Sequence, residues 1–183
     1  MNTTHEPVKV RGFFRLQISE DGPNGARVIG DSGVDEKGEL INGDGFRENQ
    51  VTNDGITQYL VNAILGTTAK TVSHMALGTG GAPGAADTTL SGENFHKSTN
   101  GTTNSRASVS TSVVSSKTAQ FTAAFNSANS FVTASVNISN IGLFNTYLTS
   151  LANAGTLLAG NTYASSSLAT NQNVNATYQI RFS

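Results

Sequence analysis

The sequence predicts an all-β fold, mainly antiparallel, arranged as a jelly-roll-like β-sandwich with one short α-helix. Three observations predict it. Apolar and polar residues alternate over many short stretches, as strands with one buried face require. Clusters of Gly, Asn, Asp and Ser punctuate these stretches at short intervals. Only one segment carries a helical period instead. About eight or nine short strands at such spacing make a sandwich or jelly roll the default architecture.

Taken in order, the first strand places Val8, Val10, Phe14, Leu16 and Ile18 on one face with Gly12 in line, and Lys9, Arg11, Arg15 and Gln17 on the other. It ends at the turn signal Glu20-Asp21-Gly22-Pro23-Asn24-Gly25, and Arg27-Val28-Ile29-Gly30 reads as the return strand of a hairpin. The acidic, glycine-rich segment at about 31–49 reads as a long flexible loop with at best a short strand near Leu40-Ile41. In the helix at 53–65, Ile56, Tyr59, Leu60, Ala63 and Ile64 share one apolar face. Thr52 or Asn53 can cap its start and Gly66 can end it. Val72 to Leu77 reads as a buried strand running into a flexible glycine loop, 78–84. Further strands are expected at 105–116, 118–125, 131–138, 141–148 and 156–163. The closing strand is the cleanest, with Val174, Ala176, Tyr178, Ile180 and Phe182 inward and Asn173, Asn175, Thr177, Gln179 and Arg181 outward.

With 183 residues the chain suits a single domain, 1–183. Charged residues make up 13%, about half the usual share. No Asp, Glu, Lys, Arg or His occurs between Lys117 and Arg181, so that stretch offers no side chain for acid–base chemistry. Residues 1–93 hold seven bases against all twelve acids, and residues 94–183 hold four bases and no acid. Opposite-signed halves can neutralise each other within one fold or meet head to tail between subunits. Four scattered bases make no nucleic-acid stripe. The absence of cysteine excludes disulfides, Cys-ligated zinc and thiol catalysis. The first residues lack the apolar core of a signal peptide and no apolar run reaches membrane-spanning length, so the expectation is a protein made and assembled in a cytoplasm, without a membrane partner.

Candidate chemistry is sparse. Gly78-Thr79-Gly80-Gly81 follows a strand but lacks the Lys-Ser/Thr of a phosphate loop. His5, His74 and His96 have no metal-ligand spacing, and His74 reads as a satisfied core or edge histidine. No G-x-S-x-G elbow occurs. The acids Asp31, Asp35, Glu36, Glu39 and Asp44 alternate with glycines but fit no EF-hand. They read as a solvated loop, or as an arm that docks on a basic patch of a partner. Asn100 to Asn104 and the Ser/Thr run from Ser108 to Ser116 suit a carbohydrate-facing surface, although tryptophan is absent. No catalytic residue, cofactor or metal is expected.

Several phrases carry a resemblance: Val51-Thr52-Asn53-Asp54-Gly55 opening the helix; Ser73-His74-Met75-Ala76-Leu77-Gly78-Thr79-Gly80; Ala82-Pro83 through Asp87-Thr88-Thr89-Leu90 to Glu93; Ile141-Gly142-Leu143-Phe144-Asn145; Gly155-Thr156-Leu157-Leu158-Ala159; and Ala176-Thr177-Tyr178-Gln179-Ile180-Arg181-Phe182. Their order resembles that of a family of small bacteriophage virion structural proteins, which includes capsid decoration (cement) and tail-fibre-associated members. Ile141 stands where that pattern commonly has Glu or Ala. The resemblance implies a virion protein that binds the major capsid protein on the outside of the capsid and associates with itself, as a homotrimer. A tail or fibre-anchoring adaptor is the alternative within the class, and a carbohydrate-binding module the alternative outside it. On exposure pattern, the expected partner contacts are Arg11 and Arg15, then Asp31, Asp35, Glu36 and Asp44 of the acidic loop, then Asn173, Asn175 and Gln179.

Overall fold

Strand β1 (Val10–Gly22) lies antiparallel to β10 (Gln172–Phe182), the closing strand, in unbroken register from Val10 opposite Phe182 to Glu20 opposite Gln172. The computed structural model describes residues 8–23, 25–93, 106–127, 131, 135–146 and 155–183. Between these two strands in the chain come β2 (Gly25–Asp31), β3 (Arg47–Val51), β4 (His74–Gly78), β5 (Arg106–Ser108), β6 (Ser110–Ser115), β7 (Thr118–Phe125), β8 (Val136–Phe144) and β9 (Leu157–Leu168). They form one antiparallel path, β5-β4-β8-β9-β3-β1-β10-β7-β6, with β2 paired to β1. The all-β, mainly antiparallel class with one short helix is therefore the fold of the protein.

The sheet turns at two corners. The first half of β3 pairs with β1 and its last two residues, Gln50 and Val51, pair with Gly160 and Ala159 of β9. At the other side β5 and β6 are separated by Val109 alone, so the two ends of the path are consecutive in the chain and the sheet nearly closes on itself. Strands that cross from one wall to the other at a bend are the usual corner of a sandwich.

The inward side chains of both walls make the main core. Phe14, Leu16, Val174 and Tyr178 meet Met75, Leu77, Ile138 and Leu143 there, all buried. A second, smaller core of Ala76, Leu90, Phe144 and Leu157 lies apart from it, contributed by strands β4, β8 and β9 together with the segment after β4. Burial on both faces accounts for the run Ile141-Gly142-Leu143-Phe144, which does not alternate. The hydroxyl of the fully buried Tyr178 has no hydrogen-bond partner among the described residues.

Several expected boundaries change. The stretches 131–138 and 141–148 contribute to one strand, β8; residues 132–134 and 147–148 of those stretches lie outside the described residues. A register shift between Ile138 and Asn140 swaps the inward parity and hides the continuity. The stretch 105–116 becomes β5 and β6, which belong to different walls. In the segment 31–49 the strand is not near Leu40-Ile41, where a single Val34–Leu40 bridge and a 3-10 turn (Ile41–Gly43) stand; it is β3. Arg-Glu-Asn-Gln-Val has no apolar alternation to announce it, because backbone pairing on both sides holds it in place.

The helix consists of Asn53–Gly55, Ile56–Val61 and Asn62–Ile64, the middle stretch with π-type bonding. Thr52 is the cap, its hydroxyl accepting from the Gly55 N–H at 2.9 Å. Gly66, at φ +67°, closes it with the paired bonds Gly66 N–H to Ala63 O and Thr67 N–H to Asn62 O. The expected apolar face is not buried as a unit: Tyr59 is, but Ala63 is exposed and Ile64 is 85% exposed. The wider turn of the π stretch brings later residues round to a side that a 3.6-residue period does not anticipate.

Candidate interaction surfaces

The acidic segment folds back on its own molecule. Arg15 on β1 donates two bonds to Asp31, from Nε to Oδ1 at 3.0 Å and from Nη2 to Oδ2 at 2.7 Å. Gln17 Nε2 and the Gly33 N–H add two more. Burial alone would raise the Asp31 pKa, but the Arg15, Gln17 and Gly33 bonds outweigh it and hold the carboxyl below its ordinary value. At the far end of the segment Asp44 pairs with Arg181 of β10 at 2.8 Å, and the Arg181 guanidinium lies 4.1 Å from the Phe13 ring centre and 5.1 Å from that of Phe46. Asp44 is likewise held below its ordinary value: burial raises it, and the Phe46 N–H and Arg181 overcome that. Between these ion pairs the segment is mostly turns, with one bridge and a 3-10 turn.

Each residue expected to meet a partner has a definite place. Arg11 and Glu48 form an open pair at 3.6 Å. Asp35 accepts from the backbone N–H groups of Lys37 and Glu39, and Glu36 is exposed beside it. Asn173 donates to Asp21 and accepts from the Ser127 N–H. Asn175 is exposed, whereas Gln179 is buried between Gln120, to which it donates, and Arg181, from which it accepts. The structure thus brings Arg15 together with Asp31, and Gln179 together with Arg181 and Asp44, while Asn173 and Asn175 stand apart.

Acid should loosen this segment. Asp31 and Asp44 have folded-state pKa values below the unfolded ones, so their contribution is present above the unfolded carboxylate value of about 3.9 and disappears as pH falls through the lower folded values. The melting temperature is expected to fall across that window, and Asp31→Asn to remove part of the fall. An unchanged acid profile in Asp31→Asn would contradict this coupling.

Other sites resolve into structure. The glycine loop after β4 is held rather than loose: the Thr79 N–H donates to Gly92 O, Ser139 donates to Gly80 O, and the buried Asn140 amide donates to Gly81 O and Ser91 O. A Cβ at Gly78 would lie 2.4 Å from Asn140 Oδ1, so close packing accounts for that glycine. His74 faces Ser73 and Ser108 hydroxyls at 2.8 and 3.4 Å, and burial, then the Arg106 charge, lowers its pKa. His5, His96 and Asn100 to Asn104 lie outside the described residues. Among the described residues no group of three or more His, Asp or Glu side chains could hold a metal ion, and no helix is long and apolar enough to cross a membrane.

Two surfaces and one buried pair lie outside the residues that the sequence pattern points to. Glu93 and Arg106 form a bidentate pair at 2.7 and 2.9 Å with side chains 1% and 0% exposed, and Arg106 also caps the Phe144 ring at 3.5 Å. At the helix end Val61, Ile64 and Leu65 are 37%, 85% and 67% exposed. At the sheet edge all six residues of β6 are exposed, and Val113 and Val114 stand out into solvent near Lys117. Comparison with protein-family models, with curated proteins and with solved structures finds no match for this chain.

Proposed function

We propose that this protein is a bacteriophage virion structural protein, a capsid decoration protein that self-associates as a homotrimer and stabilises the capsid by binding the major capsid protein from outside. The reading rests on the resemblance in motif order, and one structural observation supports it most: the apolar group Val61, Ile64 and Leu65 at the end of the helix. Single exposed apolar residues are ordinary, but three within five positions at one tip offer a place for a partner contact. Its neighbours add little charge to repel a lattice. Many weak copies of such a contact, repeated by symmetry, sum to firm binding without any catalytic group.

Cosedimentation with undecorated capsids of the cognate phage tests it. Saturable binding at a fixed ratio to capsomers is expected, with a raised capsid disruption temperature. The double variant Ile64→Asp, Leu65→Asp should lose at least tenfold in affinity while its own melting temperature stays within a few degrees. Binding to tails and not to heads would replace this reading with that of a tail or fibre-anchoring adaptor.

A further inference from the structure

A cavity of about 510 Å³ opens between the two walls beside the acidic segment. The buried side chains of Leu16, Ile18, Ile138 and Val174 line it; of its charged lining residues, Asp31 is engaged by Arg15 and Gln17 and Arg47 donates to Ser32 O, while Asp35 and Glu36 are exposed. Tyr163 lines it as well, and its buried hydroxyl has no hydrogen-bond partner among the described residues. An apolar interior, an acidic margin and an orphaned hydroxyl together fit an occupant that is apolar, cationic and rich in hydroxyls.

The β6–β7 hairpin has that chemistry. Val113 is 81% and Val114 55% exposed, Ser115 and Ser116 carry hydroxyls, and Lys117 is an exposed cation. Asp and Glu are absent from this hairpin. Its position matters as much. Val174 in the cavity wall and Arg181, which pairs with Thr118 at the hairpin tip, are seven residues apart on β10, about 23 Å at roughly 3.3 Å per residue. Hairpin and cavity therefore stand toward opposite ends of one strand, and the same protomer cannot use one to fill the other.

We propose that the tip of the β6–β7 hairpin of one protomer seats in the cavity of a second copy, valines inward and Lys117 beside Glu36, in a head-to-tail contact. Such a contact is heterologous and builds a ring when its rotation closes. Among the described residues the hairpin's strand β6 pairs with β7 on one side only, and the other side would otherwise be free to join other chains. The proposal rests on the self-association in the reading above and names its surfaces.

Sedimentation velocity of the purified protein, with no capsid present, tests it. Asp35 is left intact because its carboxylate holds the turn. Wild type is expected to be oligomeric, and Lys117→Glu and Glu36→Lys each to weaken association at least tenfold. The double variant carrying both changes should regain most of it, and Val113→Asp should be monomeric with an unaltered circular dichroism spectrum. A monomeric wild type, single variants that associate normally, or a double variant that stays apart would each overturn the contact. Capsid binding is read separately, so a monomer that still decorates heads would sink this inference and leave the decoration reading in place. A charge-swappable ring that ignores heads would do the reverse.

Discussion

Glu93→Gln is expected to destabilise the fold by about 3–5 kcal/mol, the usual cost of breaking a buried ion pair from one side. The amide keeps the shape of the carboxylate but takes the Glu93 charge away from the Arg106 guanidinium, whose side chain is 0% exposed. A domain of this size has only about 5–15 kcal/mol of stability, so a loss of that order takes much of it. Arg106→Met should cost a similar amount by taking away the bidentate counter-charge of Glu93 and the bond to Thr146 O, even though methionine can keep some packing on Phe144. The informative chain is the double variant Glu93→Leu, Arg106→Met. Taking both charges out of the interior removes their desolvation penalty, so the double variant is expected near wild-type stability and far above either single one. Urea unfolding of the four proteins closes the cycle. Single variants within about 1 kcal/mol of wild type would mean that the pair is hydrated in solution.

That pair also explains one part of the charge asymmetry. Glu93–Arg106 and Asp44–Arg181 each join an acid of the first half to a base of the second. The neutralisation that sequence left open between one fold and several subunits is, for these four residues, internal. Glu36 and Lys117, both exposed, are the acid and the base that the proposed head-to-tail contact uses.

Legibility followed the physics of periodicity. Strands β1 and β10 were readable because each has one face in the core and one polar face, so period two survives in the sequence. The cap at Thr52 and the stop at Gly66 were readable because they are local backbone chemistry. Strand β3 was not, since its place is fixed by backbone pairing to β1 and β9 and its side chains need no alternation. Parity places Gln179 outward, and it is outward of the core, yet Gln120 and Arg181 bury it. Parity records which wall of a strand a residue faces, and the segment that later covers that wall is invisible to it. Arg106 did leave a trace: a lone base next to Ala107, Ser108 and Val109 is an unusual strand residue unless it has a buried partner.

Gly55→Ala separates the local rule from the tertiary one by sign. Within a helix, alanine in place of glycine is expected to stabilise by up to about 1 kcal/mol. Here the added Cβ would stand 2.1 Å from the Leu158 carbonyl oxygen and 2.9 Å from its carbon, both main-chain atoms of β9. A side chain could swing aside, but a paired strand cannot, so the helix start must lift away. Lifting it stretches the contacts that Thr52 makes: its hydroxyl donates to Leu157 O at 2.6 Å, its N–H donates to Leu158 O at 3.0 Å, and its oxygen caps the Gly55 N–H. Each buried group left without a partner costs about 1–3 kcal/mol, and overpacking adds a similar amount, so the net expectation is a loss of about 2–4 kcal/mol. Thr52→Val should lose a comparable amount by deleting the same hydroxyl. If Gly55→Ala acts by lifting the helix off those contacts, the double variant must lose less than the two singles combined, because the second change removes bonds already broken. Full additivity would place the alanine strain elsewhere, and stabilisation by Gly55→Ala would mean that helix and β9 do not approach this closely in solution.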